Sequence, residues 1–171
     1  MPLILEINGQ SPQIDPTAWI ADNATLTGNV HIGAKSSIWF QVVIRGDMNE
    51  IRIGENCNIQ DGAVVHGTKG RGDTLIGNNV SVGHKAIIHG CQIEDNVLVG
   101  MGAIILDDVL IPSNTIIAAG SVVTSGTQIE AGFIYAGIPA RKLKPLDEAT
   151  AQIYIEGTSK AYVEYSGYYK T

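Results

Sequence analysis

The chain has 171 residues, 44% of them hydrophobic and 16% charged, which suits one globular domain with a sizeable core, and no second domain is expected. A formal net charge of -6 without a Lys/Arg cluster argues against a nucleic-acid backbone or an anionic membrane as the main partner and points to a small ligand. No run approaches the ~18 apolar residues of a membrane span, and "MPLILEING" lacks the basic region and apolar length of a signal peptide, so the expected location is the cytoplasm.

From Ile14 onward the chain repeats. Ile14, Ile20, Leu26, Ile32, Ile38 and Ile44 stand six apart; after a three-residue insertion the series resumes at Ile53, Ile59 and Val65. A five-residue insertion leads to Ile76, Val82 and Ile88, and one dropped residue to Ile93, Val99, Ile105, Ile111, Ile117, Val123 and Ile129, with Tyr135 in the next place. Four residues after these aliphatics the side chain is small or apolar, as at Ala24, Cys57, Ala86 and Ala103, so each hexad has two inward positions. Cys57 therefore reads as core, and with no C-x-x-C neither it nor Cys91 suggests a disulfide or a zinc ribbon.

A helix needs a 3.6-residue period, whereas six residues closed by Gly, Asn or Asp turns suit a short strand and a bend. Every third hexad opens with a similar phrase, such as "IG" at Ile32, Ile53 and Ile76, so three hexads make one coil of a triangular parallel β-solenoid. The repeat domain is placed at 1–142, about seven coils. Over 143–171 the period changes to three and four (Leu143, Leu146, Ala149, Ile153, then Ala161, Tyr162, Tyr165, Tyr169), which predicts a helix after Pro145 packed along the solenoid and interrupted at Gly157.

The hexads serve as coordinates for the histidines. His66 follows Val65 and His89 follows Ile88, so the two occupy one outward column in consecutive coils, with adjacent coils ~4.8 Å apart. Arg45, after Ile44, takes the same place one coil earlier. His84 lies five residues before His89, at the opposite end of the same flat face and roughly 16 Å away at ~3.3 Å per residue. A metal ion needs its nitrogens at ~2.0–2.1 Å, so His84 joins the pair only if a neighbouring subunit supplies it, as cyclic packing such as a trimer would allow. His31 falls outside the column and receives no role.

"RGD" at Arg45 to Asp47, "NIQDGAVVH" at Asn58 to His66 and "GHKAIIHG" at Gly83 to Gly90 resemble the γ-class carbonic anhydrases, over about Ile14 to Lys142. The resemblance implies a left-handed β-helix and a homotrimer with one metal at each boundary, His66 and His89 from one chain and His84 from the next. It carries an ion-pair role to Arg45 and Asp47 and a water-orienting role to Gln60, with Asp61 a lesser supporting residue. Three neutral imidazoles leave a fourth position on Zn2+, or on Fe2+ or Co2+, at which bound hydroxide attacks CO2 to give bicarbonate. For that hydration Tyr135 is expected to close the site.

The chain departs from the family where proton shuttling is concerned. Acidic residues expected after the Arg-x-Asp and after the first histidine are replaced by Met48 and by "GTKGRGDT", whose Lys69 is cationic at neutral pH. Two rival readings stand beside hydration: a hexapeptide-repeat acyl-CoA transferase or thioesterase using one His as base, and a non-catalytic protein whose metal clamps a trimer.

Overall fold

The computed structural model describes residues 1–170, and Thr171 at the end of the predicted tail lies outside the described residues. The chain winds as a left-handed parallel β-helix of about seven coils. Three flat faces run its length. One stacks Gln13–Ile14, residues 30–32 and 51–53, Thr74–Ile76, Gln92–Ile93 and Leu110–Ile111. A second stacks Trp19–Ile20, Ser37–Ile38, Asn58–Ile59, Ser81–Val82, Val97–Val99, Thr115–Ile117 and Phe133–Gly137. The third stacks Leu3–Leu5, residues 25–28 and 43–46, Val64–His66, Ile87–His89, Ile104–Ile105 and Val122–Val123.

The hexad aliphatics fill the interior. Ile38, Ile44, Ile59, Val65, Ile88, Ile105 and Ile117 are fully buried, as are Ala24, Ala63, Ala86 and Ala103 at the second inward position. Large and small side chains thus alternate around each coil, which keeps a triangular interior filled. Cys57 and Cys91 belong to this core, and burial pushes both thiols up to about 12, leaving no reactive thiolate.

The three-residue insertion before Ile53 forms a bulge at the corner, where residues 47–50 face Asn29 alone as the register shifts between Gly28 and Val30. Val43–Ile53 runs as one strand around a corner, pairing with residues 64–65 on one face and 74–76 on the next, and this path brings Arg45 and Asp47 to the corner. The insertion after His66 forms a loop over 67–73 at the same edge.

Coil spacing constrains the corner glycines. A Cβ on Gly100 would lie 2.7 Å from the Ala118 carbonyl carbon and overlap Ala119 N, all backbone of the next coil. Gly100→Ala is therefore expected to destabilise the fold by roughly 1–3 kcal/mol through overpacking, read as a lowered urea midpoint. Gly167→Ala, at the end of the C-terminal helix with open space around it, is the control and should leave the midpoint unchanged or raise it.

After the last parallel strand the chain makes a hairpin, Ala140–Pro145 folding back antiparallel on Phe133–Gly137. The helix then starts at Glu148, with the Asp147 carboxylate accepting from Thr150 N at 2.7 Å as its cap. It continues without a break through Glu148–Ala151, a π-helical segment Gln152–Gly157 and Thr158–Gly167. The expected interruption at Gly157 is absent; the glycine instead sits in the widened turn, where a Cβ would approach the Gln152 carbonyl oxygen to 3.3 Å. The helix lies on the second face, its Ile155 packed against Ile116 and Ile134. Tyr162 meets Trp39 edge-on at 5.1 Å, and Tyr169 sits among Trp19, Trp39 and Phe40. No helix among the described residues is long and apolar enough to cross a membrane.

Candidate metal centre

His66 and His89 are register partners on the third face, at the end where each strand meets its corner. His66 Nδ1 stands 3.2 Å from His89 Nε2. Their remote nitrogens both reach carboxylates: His66 Nε2 lies 3.2 Å from Asp47 Oδ1 and His89 Nδ1 lies 3.1 Å from Asp107 Oδ2. An ionised carboxylate only accepts, so each of those remote nitrogens carries its ring's proton. A neutral imidazole has a single N–H, so the two nitrogens that face one another both present lone pairs.

Two facing lone pairs repel unless a donor or a cation meets them, and here the Arg45 guanidinium donates to the lone pair of His66 Nδ1. Protonating His66 is opposed, because burial and then the charge of Arg45 hold its pKa below the ordinary histidine value against the pull of Asp47. Two nitrogens on one tetrahedral ion at ~2.0–2.1 Å are about 3.3 Å apart, so the observed spacing fits a zinc-type metal. Arg45 Nη2 approaches His66 Nδ1 at 3.4 Å, while its Nη1 donates to Asp47 Oδ2 at 2.6 Å. Burial acts to raise the Asp47 carboxyl, but the Arg45 hydrogen bond and charge prevail and hold it below the usual carboxylate range.

His84 belongs to a different group at the other end of the same face. Its Nδ1 lies 2.8 Å from Asp61 Oδ2, which leaves Nε2 with its lone pair, 3.5 Å from the Tyr162 hydroxyl. Gln60 borders the same cleft, between the second face and the helix. Its Nε2 donates to Asn58 Oδ1 at 2.9 Å, and Asn58 Nδ2 donates to Ser81 Oγ at 2.8 Å, so a buried amide chain fixes the Gln60 side chain and leaves its carbonyl oxygen free. Among the described residues no three His, Cys, Asp or Glu side chains of one chain converge on a metal-sized point.

The structure thus brings together Arg45, Asp47, His66 and His89, and separately Gln60, Asp61 and His84. Tyr135 is not brought to either group. It takes an inward hexad position, almost fully buried, and its hydroxyl accepts from Glu130 N at 2.9 Å, so it plugs the end of the solenoid. A hexad count places that side chain inside, and the site-closing role assigned to it is corrected accordingly.

Three contributors were missed in the sequence. Asn58 could have been found, since strand alternation puts residues 58 and 60 on the same side. Asp107 could have been found less directly, as the acid at the corner one coil beyond His89. Tyr162 comes from the helix, and no repeat relates it to His84.

The family model for bacterial transferase hexapeptide (six repeats) matches residues 90–125. "Carbonic anhydrase" of Geobacillus kaustophilus is 41% identical over 168 residues, 98% of this chain and 91% of the relative. "Gamma carbonic anhydrase 1, mitochondrial" of Arabidopsis thaliana is 40% identical over 91% of this chain, which spans only 59% of that protein's length. Among solved structures, a hexapeptide transferase family protein from Anaplasma phagocytophilum superimposes with a TM-score of 0.93 at 40% identity, covering 98% of each chain. Coiled hexads, paired histidines with their carboxylates, and sequence identity across nearly the whole bacterial carbonic anhydrase agree: the chain belongs to the γ-class carbonic anhydrase-like family of hexapeptide-repeat proteins.

Proposed function

We propose that the chain forms a homotrimer that hydrates CO2 reversibly to bicarbonate at a metal site shared between neighbouring subunits. The observation that carries this reading is the 3.2 Å approach of His66 Nδ1 to His89 Nε2, each ring backed by a carboxylate, with a third carboxylate-backed histidine, His84, at the far end of the same face. Between the two ends runs an outward stripe of Val43, Val64, Ile87, Ile104 and Val122 in register, an apolar surface suited to packing against another subunit.

In this reading His66 and His89 of one chain and His84 of the next hold the metal, Zn2+ or another imidazole-binding divalent ion such as Fe2+ or Co2+. The ion supplies the Lewis acidity that makes a nucleophile from water at neutral pH. Asp47, Asp107 and Asp61 keep the three rings turned with their lone pairs forward. Gln60, held by Asn58, offers its carbonyl oxygen to a water proton and so fixes the direction in which the water oxygen faces CO2. Arg45, paired to Asp47, places positive charge at the boundary beside His66.

Proton release depends on external buffer. Met48 is apolar, and in the loop 67–73 Arg71 pairs with Asp108 and Asp73 accepts from Glu50 N, which leaves the cationic Lys69. Metal-loaded protein is thus expected to hydrate CO2 in stopped flow at a rate that rises with pH and with buffer concentration. Light scattering should report a trimer, and metal analysis of anaerobically purified protein should identify the ion. A metal-loaded trimer that is inert at every pH and buffer concentration overturns hydration in favour of a metal-clamped assembly.

One observation favours acyl transfer as a second reading. The cleft beside His84 is floored by Leu98, Met101, Ile116 and Ile134, an apolar surface fit for an acyl or pantetheine chain. Protection of this cleft by a pantetheine compound, together with absent hydration, would select it.

A further inference from the structure

Asp107 does more than back His89. Its Oδ2 accepts from His89 Nδ1 at 3.1 Å and from the Thr68 hydroxyl at 3.2 Å, while Oδ1 accepts from Thr68 N at 3.3 Å. Thr68 lies in the loop over 67–73 that follows His66. One carboxylate therefore holds a candidate ligand from one coil and the start of a loop from another, and it is itself mostly buried.

The surrounding chain is arranged to allow this reach. Gly90, directly after His89, has φ +58, and a Cβ there would overlap Asp107 Oδ1 and come within 2.8 Å of its Cγ. Ser125 Oγ donates to the Asp107 carbonyl at 2.6 Å and steadies the residue from the next coil. The loop's other anchor is Asn49, whose Nδ2 donates to the carbonyls of Thr68 and Gly72, both at 2.7 Å, while its Oδ1 accepts from Gly70 N at 3.4 Å. Asn49 sits on the strand that carries Arg45 and Asp47, so one anchor of the loop is the carboxylate behind His89 and the other shares a strand with the carboxylate behind His66.

We propose that Asp107 is a positioning residue that couples the loop over 67–73 to His89, so that ordering of the loop and binding of metal are one linked equilibrium. The proposal rests on the shared metal reading and does not depend on whether the loaded protein turns over CO2. With the loop closed, Thr68 holds the carboxylate where it fixes the Nδ1–H form of His89 and aims Nε2 at His66. With the loop open, Asp107 loses Thr68, and His89 gains freedom to rotate or to move its proton to Nε2, which no longer binds metal. By linkage, metal that selects the ordered His89 also favours the closed loop.

The test uses the full chain, stripped with a chelator and titrated with Zn2+. Side-chain 15N correlation spectra of the metal-free wild type should show His89 protonated at Nδ1, and amide exchange of Thr68 and Gly70 should slow when Zn2+ is added. Asp107→Asn has one acceptor oxygen in place of two and must abandon either His89 or Thr68 N. It should weaken Zn2+ binding by about 10–100-fold and abolish the metal-dependent slowing of the loop amides.

A merely structural role predicts otherwise: loop exchange would rise in Asp107→Asn with Zn2+ affinity and His89 protonation unchanged, which overturns the proposal. Protonation of His89 at Nε2 in the wild type, or loop amides indifferent to Zn2+, also overturns it, and neither readout requires the variant to fold. A wild-type chain that takes up no Zn2+ overturns both this coupling and the metal reading. Zn2+ binding with the coupling intact and no hydration overturns only the proposed activity.

Discussion

A His84→Ala chain and a His66→Ala/His89→Ala chain are each expected to bind no metal alone and to regain it when unfolded, mixed and refolded together. Within one chain His66 and His89 meet at 3.2 Å, whereas His84 is engaged by Asp61 and Tyr162 at the opposite end of the face. In a cyclic trimer each boundary draws its pair of ligands from one subunit and its single ligand from the next. Every boundary of either pure trimer therefore lacks part of the set. In a random equal mixture, a boundary with the His84→Ala chain giving the pair and the double variant giving His84 arises about one time in four, so metal should return to about a quarter of the wild-type content. A site built from one chain could never be restored by mixing. Metal that stays at the level of the separate variants, after mass spectrometry has confirmed mixed trimers, overturns the shared site.

The sequence showed the solenoid and half of the site's logic for the same reason. A hexad period is a coordinate system, and any residue inside it acquires a face, a coil and an inward or outward direction. That is why Ile44, Val65 and Ile88 could be assigned to the core and Arg45, His66 and His89 to one outward edge, placements that the register reproduces. The same coordinates would have turned Tyr135 inward, and the site-closing role given to it set the count aside. Features that break the period were less legible. Asp107 reaches back across a corner only because Gly90 leaves room, and Tyr162 arrives from a helix whose register on the solenoid is set by Ile155 and Ser159 packing, not by the repeat. Gly157 was read by its average helix propensity, whereas the local π turn makes use of its missing Cβ.

Asp47→Ala is expected to weaken metal binding by about 100-fold or more, beyond the 10–100-fold typical of a lost ligand-supporting carboxylate, because two effects combine there. The first is loss of the acceptor for His66 Nε2–H. Without it the ring is free to carry its proton on Nδ1, the nitrogen that faces His89, and binding must first move that proton. The second effect is electrostatic. Arg45 Nη1 donates to Asp47 at 2.6 Å while Nη2 stands 3.4 Å from His66 Nδ1, so removing the carboxylate leaves a guanidinium without its counter-charge beside the place a dication would occupy. Removing Arg45 as well relieves the second effect and not the first. The double variant Arg45→Ala/Asp47→Ala should therefore bind metal more tightly than Asp47→Ala alone, with a loss nearer 10-fold. Isothermal titration with Zn2+, run beside light scattering on each variant, separates this from loss of assembly. If the double variant binds more weakly than Asp47→Ala while both remain assembled, the carboxylate does not shield the site from Arg45, and its role reduces to holding the His66 ring.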